Sequence, residues 1–436
     1  MKTKIAVLAT AALLISAPAA FAFHSGGVAE CEGCHSMHNS FEGSANATGL
    51  PQYESGPYLL KANDQSGSCL NCHEAGPGSY HISTPSNAIG PNDSTVPVQL
   101  TPGGDFAWLK KTMPYAIRGA AATFDGDRHG HNIVASDFGY TADKTLTTAP
   151  GGTYPAANLA CSSCHDPHGT YRRFADGTQK RTGLPIFASG SYTSSAAPIS
   201  GVSAVGVYRI LGGVGYQPKS LTGSYAFAKP APDAVAQSTY NKAATSVSAA
   251  GAAQPDLVAY GQGMSEYCAN CHTAMLENSY TSGMKGLVHP AGNSAKLTAA
   301  IAANYAAYVT SGVMTGTGAN YSAVAPFEIG TNDYTILKAF PTTPTAATAG
   351  TSNVNCLSCH RAHASGFESM ARYNLSNEFM TVADAAGAAL YDSSTTENKI
   401  NFGLSVAQQT AAYNGRPATA FGPYARNYCN KCHAKD

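Results

Sequence analysis

The sequence predicts a loop-rich fold of short α-helices with very little β structure, built around an interior that aliphatic side chains cannot supply. Three observations carry this. Leu, Ile, Val and Phe together number 70 of 436 residues, about 16%, a share low enough to suggest disorder. Disorder usually comes with high net charge, yet Lys+Arg and Asp+Glu balance at 26 each and charged residues are only 12% of the chain. The third is the distribution of 44 Gly and 24 Pro. Stretches such as Gly190 to Val205, Ala228 to Asp256 and Pro341 to Ser352 are rich in Ser, Thr, Ala, Gly and Pro, with weak periodicity. The balanced charge argues against a nucleic-acid or anionic-lipid partner, which needs a cationic surplus.

Taken in order, residues 1–22 read as a secretory signal peptide. Lys2 and Lys4 give a positive start, residues 5–17 are apolar, and Ala20-Phe21-Ala22 is a small-x-small cleavage site. Thirteen apolar residues are too few to span a bilayer, and no later stretch approaches the ~20 a helical span needs. Cleavage leaves 24 basic residues against 26 acidic ones. Residues 23–436 show no convincing internal boundary and are expected to form a single unit. Helices are expected over Met264 to Tyr280, over Ser294 to Val309 (Leu297, Ile301, Tyr305 and Val309 recur every four residues), over Glu378 to Leu390 and over Tyr424 to Ala434.

The cysteines explain the interior. Export normally suggests disulfides, but all twelve cysteines fall into six Cys-x-x-Cys-His motifs: Cys31-Cys34-His35, Cys69-Cys72-His73, Cys161-Cys164-His165, Cys268-Cys271-His272, Cys356-Cys359-His360 and Cys429-Cys432-His433. This is the attachment signature of c-type haem. Two thiols form thioethers with one macrocycle and the adjacent His is the proximal iron ligand. A zinc ribbon has no need of that His, and a thioredoxin-like site would not occur six times. The sequence therefore specifies six covalently bound haem c groups, large flat apolar bodies that replace the missing aliphatic core. The motifs start 38, 92, 107, 88 and 73 residues apart, so this is not a solenoid of equal repeats.

Fourteen histidines less six proximal ones leave eight. His38, His168 and His363 each stand three residues after a proximal His, on the same side of a helical turn. None can easily reach the far face of its own haem, but each can reach the iron of another and so tie two haems together. His81, His131 and His289 lie in Gly/Pro-marked loops suited to reaching onto a haem. His24 is flexible in position but only seven residues before Cys31. Seven candidates for six distal places leave one surplus, His24 or His81. His129, in the charged run Asp125 to Arg128, is expected to be solvated. Two neutral imidazoles per iron imply low potentials, and the His supply makes Met ligation unnecessary.

Several runs resemble a known family: Phe23-His24-Ser25-Gly26-Gly27-Val28-Ala29-Glu30-Cys31-Glu32-Gly33-Cys34-His35, Cys161 to Gly169, Tyr260 to Glu266, Cys356 to Phe367, and the ending Cys429 to Asp436. Over nearly all of residues 23–436 the chain resembles the hexahaem OmcS-type outer-surface filament cytochromes of metal-reducing bacteria. The Ala/Thr/Ser-rich stretches near 230–255 and 341–352 look divergent. The resemblance implies a multihaem, loop-rich fold, bis-histidine ligation of all six irons, a continuous haem chain and a conductive homopolymer. It implies that His38 binds the haem on Cys356 and Cys359 of the next subunit. It further implies periplasmic or outer-membrane redox donors, and extracellular acceptors such as metal oxides, partner cells or electrodes.

The competing functions are a multihaem reductase and a monomeric shuttle. A reductase needs an open iron and often an attachment motif ending in Lys; all six motifs end in His, and enough other His exist to close every site. An electron carrier, not an enzyme, is the expectation. Ligation arithmetic alone does not separate a shuttle from a filament; the resemblance favours the filament.

Overall fold

The computed structural model describes residues 31–36, 40–41, 44–45, 57–75, 81–85, 95–117, 120–183, 186–237, 257–276, 288–307, 321, 323–375, 378–391 and 405–433. Among these, no helix exceeds nine residues, a length reached by Gln65–His73 and Ala299–Ala307. Strands pair antiparallel in four two-stranded ribbons and one three-stranded sheet. The loop-rich, helix-poor architecture matches the sequence-based expectation.

The expected helices are shorter than the sequence suggested, and one is absent. Met264–Cys268 and Thr273–Leu276 replace a single helix over 264–280, whose last four residues lie outside the described set. The helix Ala299–Ala307 falls within 294–309, of which 308 and 309 are not described. Over 424–433, the described part of 424–434, a single 3₁₀ turn forms at Tyr428–Lys431. Over 378–390 the chain makes a hairpin instead, with Val382 opposite Leu390 and Ala383 opposite Ala389. Asp384 closes it: its carboxylate accepts from the Ala386 and Ala388 amides at 2.9 and 2.8 Å, and Gly387 takes a left-handed φ of 82°. This side-chain turn overrides the helical preference of the alanines.

Three helices escaped the sequence reading although their caps were legible. Asp64 caps Gln65–His73 by accepting from the Gly67 amide at 2.6 Å. Asp333 caps Tyr334–Ala339, and Ser405 with Gln408 forms a reciprocal capping box on Val406–Ala412. The stretch read as loop from Ala228 holds a wholly buried strand, Asp233–Ala236, paired with Val258–Gln262.

The protein interior is aromatic rather than aliphatic. Fifteen of the 24 tyrosines are buried, and they are spread over separate clusters rather than one core. One gathers Trp108, Phe367, Tyr373, Tyr413, Phe421 and Tyr428; another Tyr171, Tyr208, Tyr216, Phe227, Tyr260 and Tyr267. A third centres on Tyr305, Tyr321 and Phe327, a fourth on Leu70, Phe106 and Tyr140. A tyrosine fills apolar volume yet carries a donor for a buried carbonyl. Short turns leave many carbonyls without a helical partner. Tyr216 donates to the Ser162 and His165 carbonyls at 2.7 Å, and Tyr267 to that of Cys164 at 2.5 Å.

Candidate functional site

Each attachment motif folds as one tight turn. The His amide donates to the carbonyl of the first Cys, at 2.8 Å in Cys31–His35, 3.0 Å in Cys161–His165, 2.9 Å in Cys268–His272, and 3.0 Å in both Cys356–His360 and Cys429–His433. In the second motif Cys69, Cys72 and His73 lie in the last turn of Gln65–His73. A four-residue reach puts both thiols and the imidazole on one side of the turn, as attachment to a single macrocycle requires.

The imidazoles meet in pairs. His35 faces His168 with ring centres 6.4 Å apart and planes 6° from parallel. His165 faces His363 at 6.4 Å and 58°, His272 faces His131 at 6.0 Å and 31°, and His433 faces His289 at 5.9 Å and 73°. Two imidazoles on opposite sides of one metal stand about 6.4 Å apart, taking about 2 Å per metal–nitrogen bond and about 1.2 Å from nitrogen to ring centre. The four separations therefore each suit one iron. Nδ1 of five of these histidines is engaged by a backbone carbonyl, leaving Nε2 for the metal: His35 with Tyr58 at 2.9 Å, His131 with Ala362 at 2.7 Å, His165 with Arg209 at 2.8 Å, His272 with Pro150 at 2.8 Å and His289 with Pro290 at 2.8 Å. His360 of the fifth motif, outside these pairs, meets the Ser369 carbonyl in the same way at 2.8 Å. Such outer contacts fix the tautomer and ring orientation of a ligating His.

Burial, above all, drives His131 down to about 4 and His363 down to about 3. Both are neutral at physiological pH, the form that binds a metal. Close packing fixes them. Residue 131 donates its amide to the His363 carbonyl at 2.8 Å, and His363 donates its own to Gly103 at 2.8 Å. A Cβ on Gly103 would stand 2.6 Å from Nδ1 of His363, and one on Gly152 would collide with the Cys271 carbonyl. The sequence reading missed these glycines; the doublets Gly103-Gly104 and Gly151-Gly152 were the visible signal.

The motifs follow one another in space as they do in sequence. Cys34 lies near Cys72, Cys69 near Cys161, Cys164 near Cys271, Cys268 near Cys356, and Cys359 near Cys429 and Cys432. The second and third motifs are joined as the fourth and fifth are. Ser66, three residues before Cys69, accepts from the Cys161 amide at 3.2 Å, and Ser265, three before Cys268, from the Cys356 amide at 3.1 Å.

Two expectations need revision or lie beyond the described residues. His129 is not solvated: it is completely buried, with Nδ1 2.9 Å from the Ser365 carbonyl. The turn Gly126–Arg128 keeps Arg128 outside and swings His129 inward, so the charged run misled. His24 and His38 lie outside the described residues. His81 is half-buried beside the second motif, where the Ile82 amide donates to the His73 carbonyl at 2.9 Å.

Thiol pairs beside oppositely facing imidazoles fit covalently attached, six-coordinate haem, and they define a multihaem c-type cytochrome. The chain belongs to the OmcS family of c-type cytochromes. It is 56% identical, across 100% of its own length and 99% of the other's, to the C-type cytochrome OmcS of Geobacter sulfurreducens. Its fold matches two cryo-EM or filament structures from that organism, the OmcS nanowires and the outer membrane cytochrome S filament. Both give a TM-score of 0.82, at 56% and 55% identity, over 95% of this chain and 100% of theirs. No family model matches. Among the described residues no helix is long and apolar enough to cross a membrane.

Proposed function

We propose that this chain, cleaved after Ala22, is the 23–436 subunit of an outer-surface homopolymer that conducts electrons to extracellular acceptors. Each haem, when bound, supplies reversible one-electron exchange at its iron. The protein binds it through two thioethers, closes both iron faces with imidazoles and lines it with aromatic side chains that exclude water. An electron carrier needs no open iron, and ligand saturation separates it from a reductase.

The observation that carries the polymer is a rule of two in the ring pairs. The His after the third motif, His168, meets the first proximal His; the His after the fifth, His363, meets the third. Continued, the rule sends the His after the first motif, His38, to the fifth proximal His, His360. A second copy of the chain supplies it, so the haem on Cys356 and Cys359 takes His360 from one subunit and His38 from another. The remaining assignments are His272 with His131, His433 with His289, and His73 with His24. His81 is the surplus one: its backbone runs beside that of His73, so it lies on the proximal side and cannot reach the opposite face.

Donors in the periplasm or outer membrane feed such a chain; their identity is set by surfaces at its ends. Carbon monoxide added to reduced protein, with electron microscopy of the same sample, tests the reading. Long filaments and no carbonmonoxy spectrum are expected. Monomers would instead indicate a soluble shuttle, and stoichiometric carbon monoxide binding a reductase.

A further inference from the structure

Eight residues other than glycine hold a left-handed backbone among the described residues, and six of them form three adjacent pairs. Tyr58 and Leu59 have φ of 62° and 60°, Arg209 and Ile210 of 51° and 49°, Ser369 and Met370 of 55° and 49°. Such conformations are costly for side chains with a Cβ, most of all for a β-branched one such as Ile210, and survive where surrounding structure enforces them.

All three pairs make the same contacts. The carbonyl of the first member accepts from Nδ1 of a proximal His: Tyr58 from His35, Arg209 from His165, Ser369 from His360, at 2.9, 2.8 and 2.8 Å. The carbonyl of the second accepts from the amide after that His: Leu59 from Ser36 at 2.8 Å, Ile210 from Asp166 at 2.7 Å, Met370 from Arg361 at 2.7 Å. Two residues beyond each pair's second member, an amide returns to the second Cys of the motif: Lys61 to Cys34 at 2.9 Å, Gly212 to Cys164 at 2.8 Å, Arg372 to Cys359 at 2.7 Å. The pairs share no residue type, and they lie 23, 44 and 9 residues from their histidines. Different loops converge on one strained geometry, always at the odd-numbered motifs.

We propose that the three left-handed pairs are positioning clamps that fix the ring plane and the donor strength of His35, His165 and His360. The inference rests on bis-histidine ligation as read above. A carbonyl held on Nδ1–H makes the imidazole a stronger donor, which favours ferric iron and lowers the potential. It also stops the ring turning about its metal bond. The pair His35 and His168, only 6° from parallel, is the most sensitive reporter, because near-parallel axial imidazoles give a rhombic ferric signal and crossed ones a large-gmax signal.

Leu59 is exposed, so its side chain can be changed with little effect on packing. Leu59→Gly permits the left-handed turn and Leu59→Pro forbids it. Electron paramagnetic resonance and redox titration are run on the full haem-loaded protein. For Leu59→Pro we expect loss of one rhombic signal toward larger gmax and an upward shift of one midpoint potential; for Leu59→Gly, neither. An unchanged Leu59→Pro spectrum, or equal changes in both variants, overturns the clamp. Should Leu59→Pro yield no loaded protein, Ile210→Pro against Ile210→Gly decides the same question at His165. Failure of the underlying reading is separate: it shows in the unmutated protein as a high-spin or carbon monoxide-binding iron.

Discussion

An imidazole that ligates iron must be neutral, must aim one nitrogen at the metal and must keep the other engaged. At the residue scale, what sets the candidate ligands apart from bystanders is a ring facing a motif imidazole across the space of one metal. His131 and His363 are buried enough to stay neutral far below physiological pH, and each meets a proximal ring at 6.0 to 6.4 Å. His129 is as buried as either, with its pKa down at about 4 from desolvation, so neutrality alone does not make a ligand. The sequence distinguished the motif histidines by spacing and His131 and His289 by their loops. It erred on His129, because the direction in which a short turn points one side chain depends on the packing of Ser365 against it, which no local pattern records. The two histidines weighed as surplus give the cleanest residue-scale prediction. His24→Ala opens the iron carried by Cys69 and Cys72, giving one high-spin haem in six in the ferric spectrum. His81→Ala leaves all six low-spin. The reverse result, with His81→Ala producing the high-spin haem, exchanges their roles.

Elements in this fold are small: among the described residues no helix exceeds nine residues and the sheets have two or three strands. The attachment turns are held by outside groups: the Ser66 and Ser265 hydroxyls, tyrosine hydroxyls and backbone carbonyls from distant loops. This is why the attachment sites were legible and their supports were not. Cys-x-x-Cys-His is a contiguous chemical necessity, whereas Ser66 and Ser265 matter only through the fold. Removing both thiols of the third motif, by Cys161→Ala with Cys164→Ala, withdraws a haem that sits between the second and fourth. Cooperative loss of the whole unit is expected in thermal unfolding; an unshifted transition would show that the haems do not form the core. Glu328 offers a second element-scale test. It accepts from the Met264 amide at 2.7 Å and from Asn353 at 2.5 Å, joining the helix of the fourth motif to the strand-like segment before the fifth. Burial raises its carboxyl to about 7, with Glu266 raising it further, and the two hydrogen bonds and Lys296 opposing. A carboxyl easier to protonate when folded contributes stability in full below about pH 4.5 and loses it as pH rises through about 7, about 3 kcal/mol in all. The denaturation midpoint therefore falls over that window through this group, and Glu328→Gln flattens the fall. An identical pH profile in the variant would place the titration elsewhere.

At the scale of the whole molecule, composition, architecture and assembly follow from one choice of interior. With about 16% of residues aliphatic or Phe, the chain cannot offset the conformational entropy of folding without help. Tyrosine clusters and six covalent macrocycles supply that help, and they do so in a line because successive thiol pairs are neighbours. The sequence reading foresaw the haem count and the loop-rich fold, and two of its three Cys-x-x-Cys-His-x-x-His histidines, His168 and His363, face the proximal His of another motif. It did not foresee the spatial order, which depends on contacts between residues up to about a hundred positions apart. A line of haems with ligands exchanged two motifs along has an end that one subunit cannot close. In the proposed assembly the haem on Cys356 and Cys359 is that end and His38 from a second copy would close it, which would make ligation and assembly one event. The most direct test is His38→Ala, purified with haem and examined by electron microscopy and ferric spectroscopy together. Six attached haems are expected, with one of them high-spin or water-ligated, in monomers or short oligomers. Long filaments with six low-spin haems would contradict the account.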